Sequence, residues 1–206
     1  MVRCPFLGVY NKHALGGNRC AEVFMSATGN VWFTADQHFN HAKVIDYADR
    51  PFNSVEGMNE GLVKRHNSLV KPGDRVYHLG DFAWRDHNDF VKRLNGQHYL
   101  IKGNHDHVKR LKEPLGFIWV KDVAQIKING NLFFLSHFAH RVWPQSHYGA
   151  FHLYGHSHGM IEEIGRSTDV GVDVNDYYPV ALDSVLEKLG GKEFSYHHRG
   201  PEAQIR

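Results

Sequence analysis

The stretch "LIKGNHDH", residues 100–107, places an amide, two imidazoles and a carboxylate directly after an apolar run and a glycine. A loop that only has to be soluble needs no more than Ser, Asn or Lys. Histidine beside a carboxylate is instead typical of metal coordination or proton transfer. The loop therefore predicts a chemical site at the end of a strand, provided that other segments supply matching groups.

Four other segments repeat this design, with polar residues directly after a short β-prone run. Strand ends at one edge of a sheet converge, so groups far apart in sequence can meet in one cleft. The five polar segments are "DQH" at 36–38, "GD" at 80–81, "GNHD" at 103–106, "SH" at 136–137 and "GHSH" at 155–158.

Short strands alternate with helices along the chain, which is the pattern of an α/β protein. Strands are predicted at 31–34, 75–79, 97–103, 151–154 and 170–174, with a hairpin over 124–137 around the turn-forming pair Asn129-Gly130. Helices are predicted near 42–48, over 55–70, 87–94 and 179–191, and directly after Asp106.

Composition excludes several classes of protein. The 206 residues suit one domain, and a net charge of +2 without a run of Lys or Arg argues against a dedicated nucleic-acid surface. No apolar stretch is long enough to span a bilayer, and the start of the chain lacks the pattern of a secretory signal. Two cysteines provide no disulfide framework, so we expect a cytoplasmic protein that makes no membrane contact.

Three regions are distinguished along the chain. Residues 1–24 are predicted to be an N-terminal extension, either weakly packed or an ordered arm that covers a sheet edge. Residues 25–191 are predicted to form the domain that carries the five polar segments. Residues 192–206 are predicted to be a polar, frayed tail.

Taken in order, the five polar segments resemble the motifs of the calcineurin-like metallophosphoesterase superfamily. The later run "VGVDVNDYYPVALD", residues 170–183, is similar to a subgroup of small bacterial and phage enzymes. The resemblance covers nearly all of the chain after Met25. It implies a four-layer α/β/β/α sandwich of two mixed sheets flanked by helices, with a dinuclear metal site at the carboxyl ends of the strands.

The resemblance also assigns metal ligands. It implies that one ion is bound by Asp36, His38 and His158, that the other is bound by Asn104, His137 and His156, and that Asp81 bridges the two ions. Nitrogen and oxygen ligands without thiolate suit Mn, Fe or Zn, with Mn favoured. Such ions lie roughly 3.5–4 Å apart and share a hydroxide that attacks phosphorus in line with the leaving oxygen.

The family role implied for His105 is that of a general acid or of a stabiliser of the transition state. Protein phosphatases of the superfamily have Gly-Asp-x-x-Asp-Arg-Gly, and their second Asp orients this histidine. Here Trp84 stands at its place, so Asp106 or Asp86 is the candidate for orienting His105. Arg85 matches the family arginine, which contacts phosphate.

Further residues are candidates for the rim of the cleft. His41 and His140 are interpreted either as substrate contacts or as surface residues. Trp84, Trp143 and Tyr148 are interpreted as packing residues, with a stacking wall for a base as the alternative.

The expected function is metal-dependent hydrolysis of a small, nucleotide-like phosphodiester. Phosphomonoesterase is the alternative within the class, and a non-catalytic scaffold that keeps the fold is an alternative outside it. A nuclease acting on DNA ends is disfavoured, because the chain has neither extra domains nor a basic surface.

Overall fold

The computed structural model describes residues 29–106 and 116–193. The predicted extension at 1–24, the chain from residue 194 onward and the helix expected after Asp106 lie outside the described residues, as does His107. The division into 1–24, 25–191 and 192–206 therefore stays a prediction.

Nine strands and four α-helices are present in the described part of the chain. The strands are β1 Val31–Thr34, β2 Arg75–His78, β3 Gln97–Ile101, β4 Phe117–Lys121, β5 Val123–Ile128, β6 Asn131–Ser136, β7 Phe151–Tyr154, β8 Ser167–Asp169 and β9 Val180–Ala181. The helices are α1 Lys43–Tyr47, α2 Val55–Leu69, α3 His87–Arg93 and α4 Leu182–Gly190.

The strands form two mixed sheets. The first has the order β4-β3-β2-β1-β9, in which only β9 is antiparallel to its neighbour. The second has the order β5-β6-β7-β8, in which β5 and β6 form the predicted hairpin and the other pairs are parallel. Asn129 and Gly130 have φ angles of 49° and 81°, and two positive φ angles are what a type I′ turn requires.

The main core lies between the two sheets, because their strands alternate in side-chain direction. In β6, Phe133 and Leu135 point into this core, while Phe134 points outward and packs with Trp143. Helices α1, α2 and α3 cover the other face of the first sheet and form a second apolar cluster around Met58. These two sheets with flanking helices confirm the predicted fold class.

Several local predictions need correction. Strands β4 and β8 were not predicted from the sequence, and each pairs in parallel with its neighbour at the edge of its sheet. Strand β9 occupies the start of the predicted helix at 179–191, which begins at Leu182 instead. Residues 170–174 were predicted as a strand, but Val172–Val174 is a 3-10 helix. Val170 and Val172 are both buried, which gives the run its strand-like alternation, but Asn175 donates a side-chain hydrogen bond to the carbonyl of Gly171 and stabilises a turn.

No helix among the described residues is both long and apolar enough to cross a membrane. The parallel strands β1, β2, β3, β6 and β7 all deliver their following loops to one edge of the two sheets. The five polar segments are those loops.

Candidate metal centre

One set of candidate ligands consists of Asp36, His38 and His158, which we call the first ligand group. Each offers one ligand atom, and these three atoms lie within 4.8 Å of one another. Asp36 and His38 are buried, and His158 is half-buried. All three residues have positive φ angles, of 57°, 52° and 46°, which are uncommon outside glycine and typical of functional loops.

A second set of candidate ligands, the second ligand group, consists of Asp81, His137, His156 and Asn104. One ligand atom from each of Asp81, His137 and His156 lies within 4.8 Å of the others. Asn104 joins them, since its Oδ1 is 3.0 Å from His137 Nε2. Asn104 and His156 are exposed, so this group is more open to solvent than the first.

The carboxylate of Asp81 lies between the two groups. Its Oδ2 is 3.5 Å from Nε2 of His38 and also 3.5 Å from Nε2 of His137. Its Oδ1 accepts a hydrogen bond of 2.9 Å from the backbone N–H of His105. A carboxylate placed in this way has one oxygen within reach of both ligand groups.

The residues suit metal ions, as two independent observations indicate. Asp36 Oδ1 and His38 Nε2 are buried and have no hydrogen-bond partner among the described residues, although buried polar atoms are normally paired. Burial also raises the pKa of the Asp36 carboxyl to about 7. A cation at Oδ1 would supply the missing partner and favour the ionised carboxylate.

The pKa values of Asp81 and His137 shift in the direction opposite to the one that burial alone would give. Burial disfavours the charged form of each, but their mutual attraction outweighs it. The pKa of Asp81 is lowered to about 2 by its interaction with His137 and the charge of His38, and the pKa of His137 is raised to about 8 by Asp81 and Asp36.

The first ligand group is held by a buried ion pair whose two residues lie far apart in sequence. Nδ1 of His158 is 2.6 Å from Oδ2 of Asp173, which leaves Nε2 of His158 as the ligand atom. Both carboxylate oxygens of Asp173 accept hydrogen bonds from the Arg50 guanidinium, at 2.8 and 2.7 Å. A hydrogen bond of this kind, donated by the ring N–H of a ligand histidine to a carboxylate, fixes the tautomer and ring orientation of the histidine.

Arg50 also holds the loop that carries the other two ligands of the first group. Its two terminal nitrogens donate to the backbone carbonyls of Asp36, at 2.6 Å, and Gln37, at 3.0 Å. The guanidinium is fully buried, and a buried charge requires this degree of pairing. In the sequence, Asp173 belongs to the run that resembles the bacterial and phage subgroup, which is a usable signal. Arg50 follows a short helix and carries no such signal.

The second ligand group is held by backbone contacts and by Asp106. Oδ2 of Asp106 accepts hydrogen bonds from the backbone N–H of Asp81 and of Gly103, both at 2.8 Å, and Oδ1 accepts one from Phe82 at 3.0 Å. These contacts join the loop after β2 to the loop after β3. Orientation of His105 by Asp106 stays a prediction, since the hydrogen bonds of its carboxylate act on the loop backbones and on His87.

Gly103 is required by close packing rather than by its backbone angles. A Cβ atom at this position would collide with Oδ1 and the backbone nitrogen of Asp81. The glycine of the opening motif therefore lets the two loops approach each other closely enough for Asp81 and Asn104 to meet.

His105 lies beside the ligands and has a side chain that is 33% exposed. Its Nε2 is 3.9 Å from Asp81 Oδ2, and its ring centroid is 5.4 Å from that of His38. It is thus close to the candidate ligands, as the sequence predicted, and still reachable from solvent.

The predicted rim residues lie in different surroundings. His41 is buried, with Nδ1 3.2 Å from Nδ1 of His38, so it contacts a candidate ligand directly. His140 lines a cleft of about 380 Å³ together with Asn104 and His137. Arg85 is largely exposed and forms an ion pair of 3.8 Å with Asp86. A substrate contact of any of these three residues stays a prediction.

Comparison with known proteins identifies a relative that spans almost the whole domain. Over 175 residues the chain is 31% identical to the uncharacterized protein MJ1445 of Methanocaldococcus jannaschii, covering 77% of this chain and 90% of that protein. It is also 31% identical over 83 residues to the gene 66 protein of Mycobacterium phage L5, covering 37% of this chain and 40% of that protein. No protein-family model matches the chain.

Among solved structures, the protein of unknown function AQ665 from Aquifex aeolicus has a TM-score of 0.63 with this chain. The two are 24% identical over 78% of this chain and 100% of the other, a likeness that concerns the fold alone. A novel archaeal phosphodiesterase is more remote, with a TM-score of 0.44 and 21% identity over 69% of this chain and 82% of the other.

Proposed function

This chain belongs to the same family as MJ1445 of Methanocaldococcus jannaschii. We propose that it is a metallophosphoesterase that hydrolyses phosphodiesters with the help of two divalent metal ions. The observation that carries the proposal is the position of Asp81. Its Oδ2 lies 3.5 Å from a histidine of each ligand group, which supports a carboxylate shared by two ions.

The proposed ligands are the residues of the two groups. Asp36, His38 and His158 hold one ion, Asn104, His137 and His156 hold the other, and Asp81 bridges them. The donor set contains nitrogen and oxygen but no thiolate, which suits Mn, Fe or Zn, and we favour Mn. The buried, unpaired Asp36 Oδ1 and His38 Nε2 support the first of these two sites.

When bound, two divalent ions supply Lewis acidity and lower the pKa of a coordinated water toward neutrality. The chain itself contributes only two carboxylates to the ligand set, so the loaded site keeps a net positive charge that attracts phosphate. The outer contacts of Asp173 and Asp106 hold the ligands in place and reduce the reorganisation needed during reaction.

His105 is the proposed proton donor. Its side chain is one-third exposed and lies beside Asp81, so it can reach both the bound phosphate and solvent. As the bond between phosphorus and the leaving oxygen breaks, His105 gives a proton to that oxygen, which then departs as an alcohol. The backbone hydrogen bond to Asp81 ties the position of His105 to the ligand set.

A diester is preferred to a monoester because the site is open on two sides. The cleft of about 380 Å³ adjoins Asn104 and His137, and the partly exposed Trp84 and Tyr47 lie on the side of the first ligand group. A diester carries two substituents and one negative charge, which this arrangement can accept. A small nucleotide-like diester is the proposed substrate, and the cytoplasm is the proposed compartment.

The decisive experiment compares bis-p-nitrophenyl phosphate with p-nitrophenyl phosphate, first with added Mn and then with EDTA. We expect turnover that requires the metal and favours the diester. Turnover that survives EDTA would contradict metal dependence. Two bound ions without turnover of either compound would favour a non-catalytic scaffold.

Two variants distinguish a residue that binds the metal ions from a residue that transfers a proton. Asp81→Asn should lower both bound metal and activity. His105→Ala should keep both ions while activity falls by about two to four orders of magnitude. His147→Ala, on the 3-10 helix Ser146–Tyr148, is the matched control and should keep both. Full activity of His105→Ala would disprove its role.

A further inference from the structure

Trp84 is unusually exposed for a tryptophan beside a polar site. It has 44% of its surface exposed, and it stands where the protein phosphatases of the superfamily have Asp. Trp143 provides the contrast, since it is 3% exposed and its Nε1 donates to the carbonyl of Ala150. Trp143 is therefore a packing residue, whereas packing does not account for the exposed part of Trp84.

The ring of Trp84 is held in place by the site. It stacks on His41, with centroids 4.5 Å apart and planes inclined by 16°, and its centroid is 5.4 Å from that of His105. His41 is itself fixed by its contact with His38. Trp84 is thus a rigid aromatic surface next to the proposed proton donor.

Two more aromatic rings border the ligand groups. Tyr47 is 57% exposed and contacts His158 edge-on, with centroids 6.1 Å apart. Phe138 is 49% exposed and contacts His156, with centroids 4.5 Å apart. Aromatic surface is therefore present beside both ligand groups, and large apolar side chains grouped around a polar site are typical of ligand binding.

Exposed aromatic rings do not favour the phosphate, which is bound by charge and hydrogen bonds. They favour the substituent attached to it, because a planar ring stacks favourably on an aromatic side chain. The position of Trp84 next to His105 places such a ring on the leaving-group side of the phosphorus.

We propose that Trp84, supported by His41, is a stacking subsite for a planar aromatic group of the phosphodiester substrate. This inference rests on the proposed function and specifies its substrate class, which is a diester that carries a nucleobase or an aryl group. Tyr47 contacts the same His41 ring and limits the space around that subsite, whereas Phe138 lines the cleft beside the second ligand group.

The test measures binding of phosphonates, whose carbon–phosphorus bond is not hydrolysed, to the Mn-loaded protein by calorimetry. Methyl-, cyclohexyl- and phenylphosphonate share the phosphorus group and differ in the size and planarity of the substituent. An adenine-bearing alkylphosphonate adds the nucleobase. We expect phenylphosphonate to bind about tenfold more tightly than methylphosphonate, with cyclohexylphosphonate close to methylphosphonate.

Trp84→Ala should abolish the preference for phenyl over methyl, and Trp84→Phe should keep most of it. Tyr178→Ala is the matched control, because it removes an exposed aromatic ring that lies beside Arg65 of α2 and should leave the preference unchanged. A preference for the adenine compound over phenylphosphonate identifies a nucleobase as the natural group, and the reverse identifies an aryl group.

Two results would overturn the inference. One is an unchanged phenyl preference in Trp84→Ala, or no such preference in the wild type. The other is an equal loss of affinity for phenyl- and methylphosphonate, which would show that Trp84 positions the site rather than stacking. The binding experiment does not depend on turnover, so the absence of metal-dependent hydrolysis would disprove the proposed function separately.

Discussion

The two ligand groups are supported in different ways. The first group is buried, and its support comes from Arg50 and Asp173, which are 123 residues apart and form an ion pair behind the ligands. The second group is more exposed, and Asp106 joins the two loops that carry Asp81 and Asn104, while His137 and His156 follow strands of the second sheet. The first group therefore depends on an ion pair between distant parts of the chain, and Asp81 and Asn104 of the second depend on one local junction.

This difference has an energetic consequence. A buried ion pair gains little net stability, but removal of one partner leaves the other buried and unpaired, which is costly. Replacing a carboxylate that accepts backbone hydrogen bonds costs less stability, because it leaves only uncharged N–H groups without a partner. The first group should accordingly be the more sensitive to substitution of its support.

The largest expected effect is that of Arg50→Met. Asp173 and the carbonyls of Asp36 and Gln37 would lose their partner in the interior, so we expect the free energy of unfolding to fall by about 3–5 kcal/mol. Urea denaturation of the metal-free protein measures this change in the free energy of unfolding.

The control for that change is Arg93→Met. Arg93 forms an exposed ion pair with Glu60, so its loss should cost no more than about 1 kcal/mol. If the two variants were equally stable, the buried pair would not be the main support of the first group.

Asp106→Asn tests the support of the second group. The amide keeps one acceptor oxygen but turns an NH₂ group toward backbone N–H donors, so we expect a loss of about 2–3 kcal/mol in the free energy of unfolding. Binding of Mn, measured by equilibrium dialysis, should weaken at one of the two sites. Equal weakening at both would mean that the loop junction supports the entire centre.

Asp173→Asn is the matching change for the first group. His158 would lose the carboxylate that orients its ring, and outer contacts of this kind are typically worth 10–100-fold in metal affinity. We expect one ion to bind 10–100-fold more weakly while the other is retained. Asp183→Asn, at an exposed position in the first turn of α4, should leave both affinities unchanged.

The meeting of the candidate ligands was predictable because each follows a strand whose apolar run is visible in the sequence. Asp36 and Asn104 are two examples: a rigid sheet determines where a strand ends, so sequence order was enough to bring their loops together. The left-handed backbone of His38 and His158 was not visible, since only the assembled loops specify it.

The residues that hold the candidate ligands in place were less predictable. Arg50 reads as an ordinary surface arginine, and its burial depends on α2 and on the 3-10 helix Val172–Val174 packing around it. Strand β4 was missed because it is an edge strand whose burial comes from pairing with β3. Both are consequences of tertiary packing rather than of local pattern.

The smallest expected effect concerns His66, a buried histidine outside the candidate metal centre. Burial lowers the pKa of His66 to about 4, and its Nε2 is 2.9 Å from the carbonyl of Asn95. In the unfolded chain the pKa is about 6.5. The unfolded state therefore takes up a proton before the folded state does, and stability falls as the pH drops from about 6.5 to about 4.

At pH 5.5 this contribution is about 1 kcal/mol relative to pH 7.5. His66→Gln removes the titrating group, so the stability lost between those pH values, measured in EDTA, should be smaller by about that amount in the variant. Lys64→Gln, at an exposed position on the same helix, should keep the wild-type loss. Identical losses in His66→Gln and wild type would mean that His66 is protonated in the folded protein. The acid sensitivity of the metal-free chain would then come from other buried histidines, such as His152, whose pKa burial lowers to about 4.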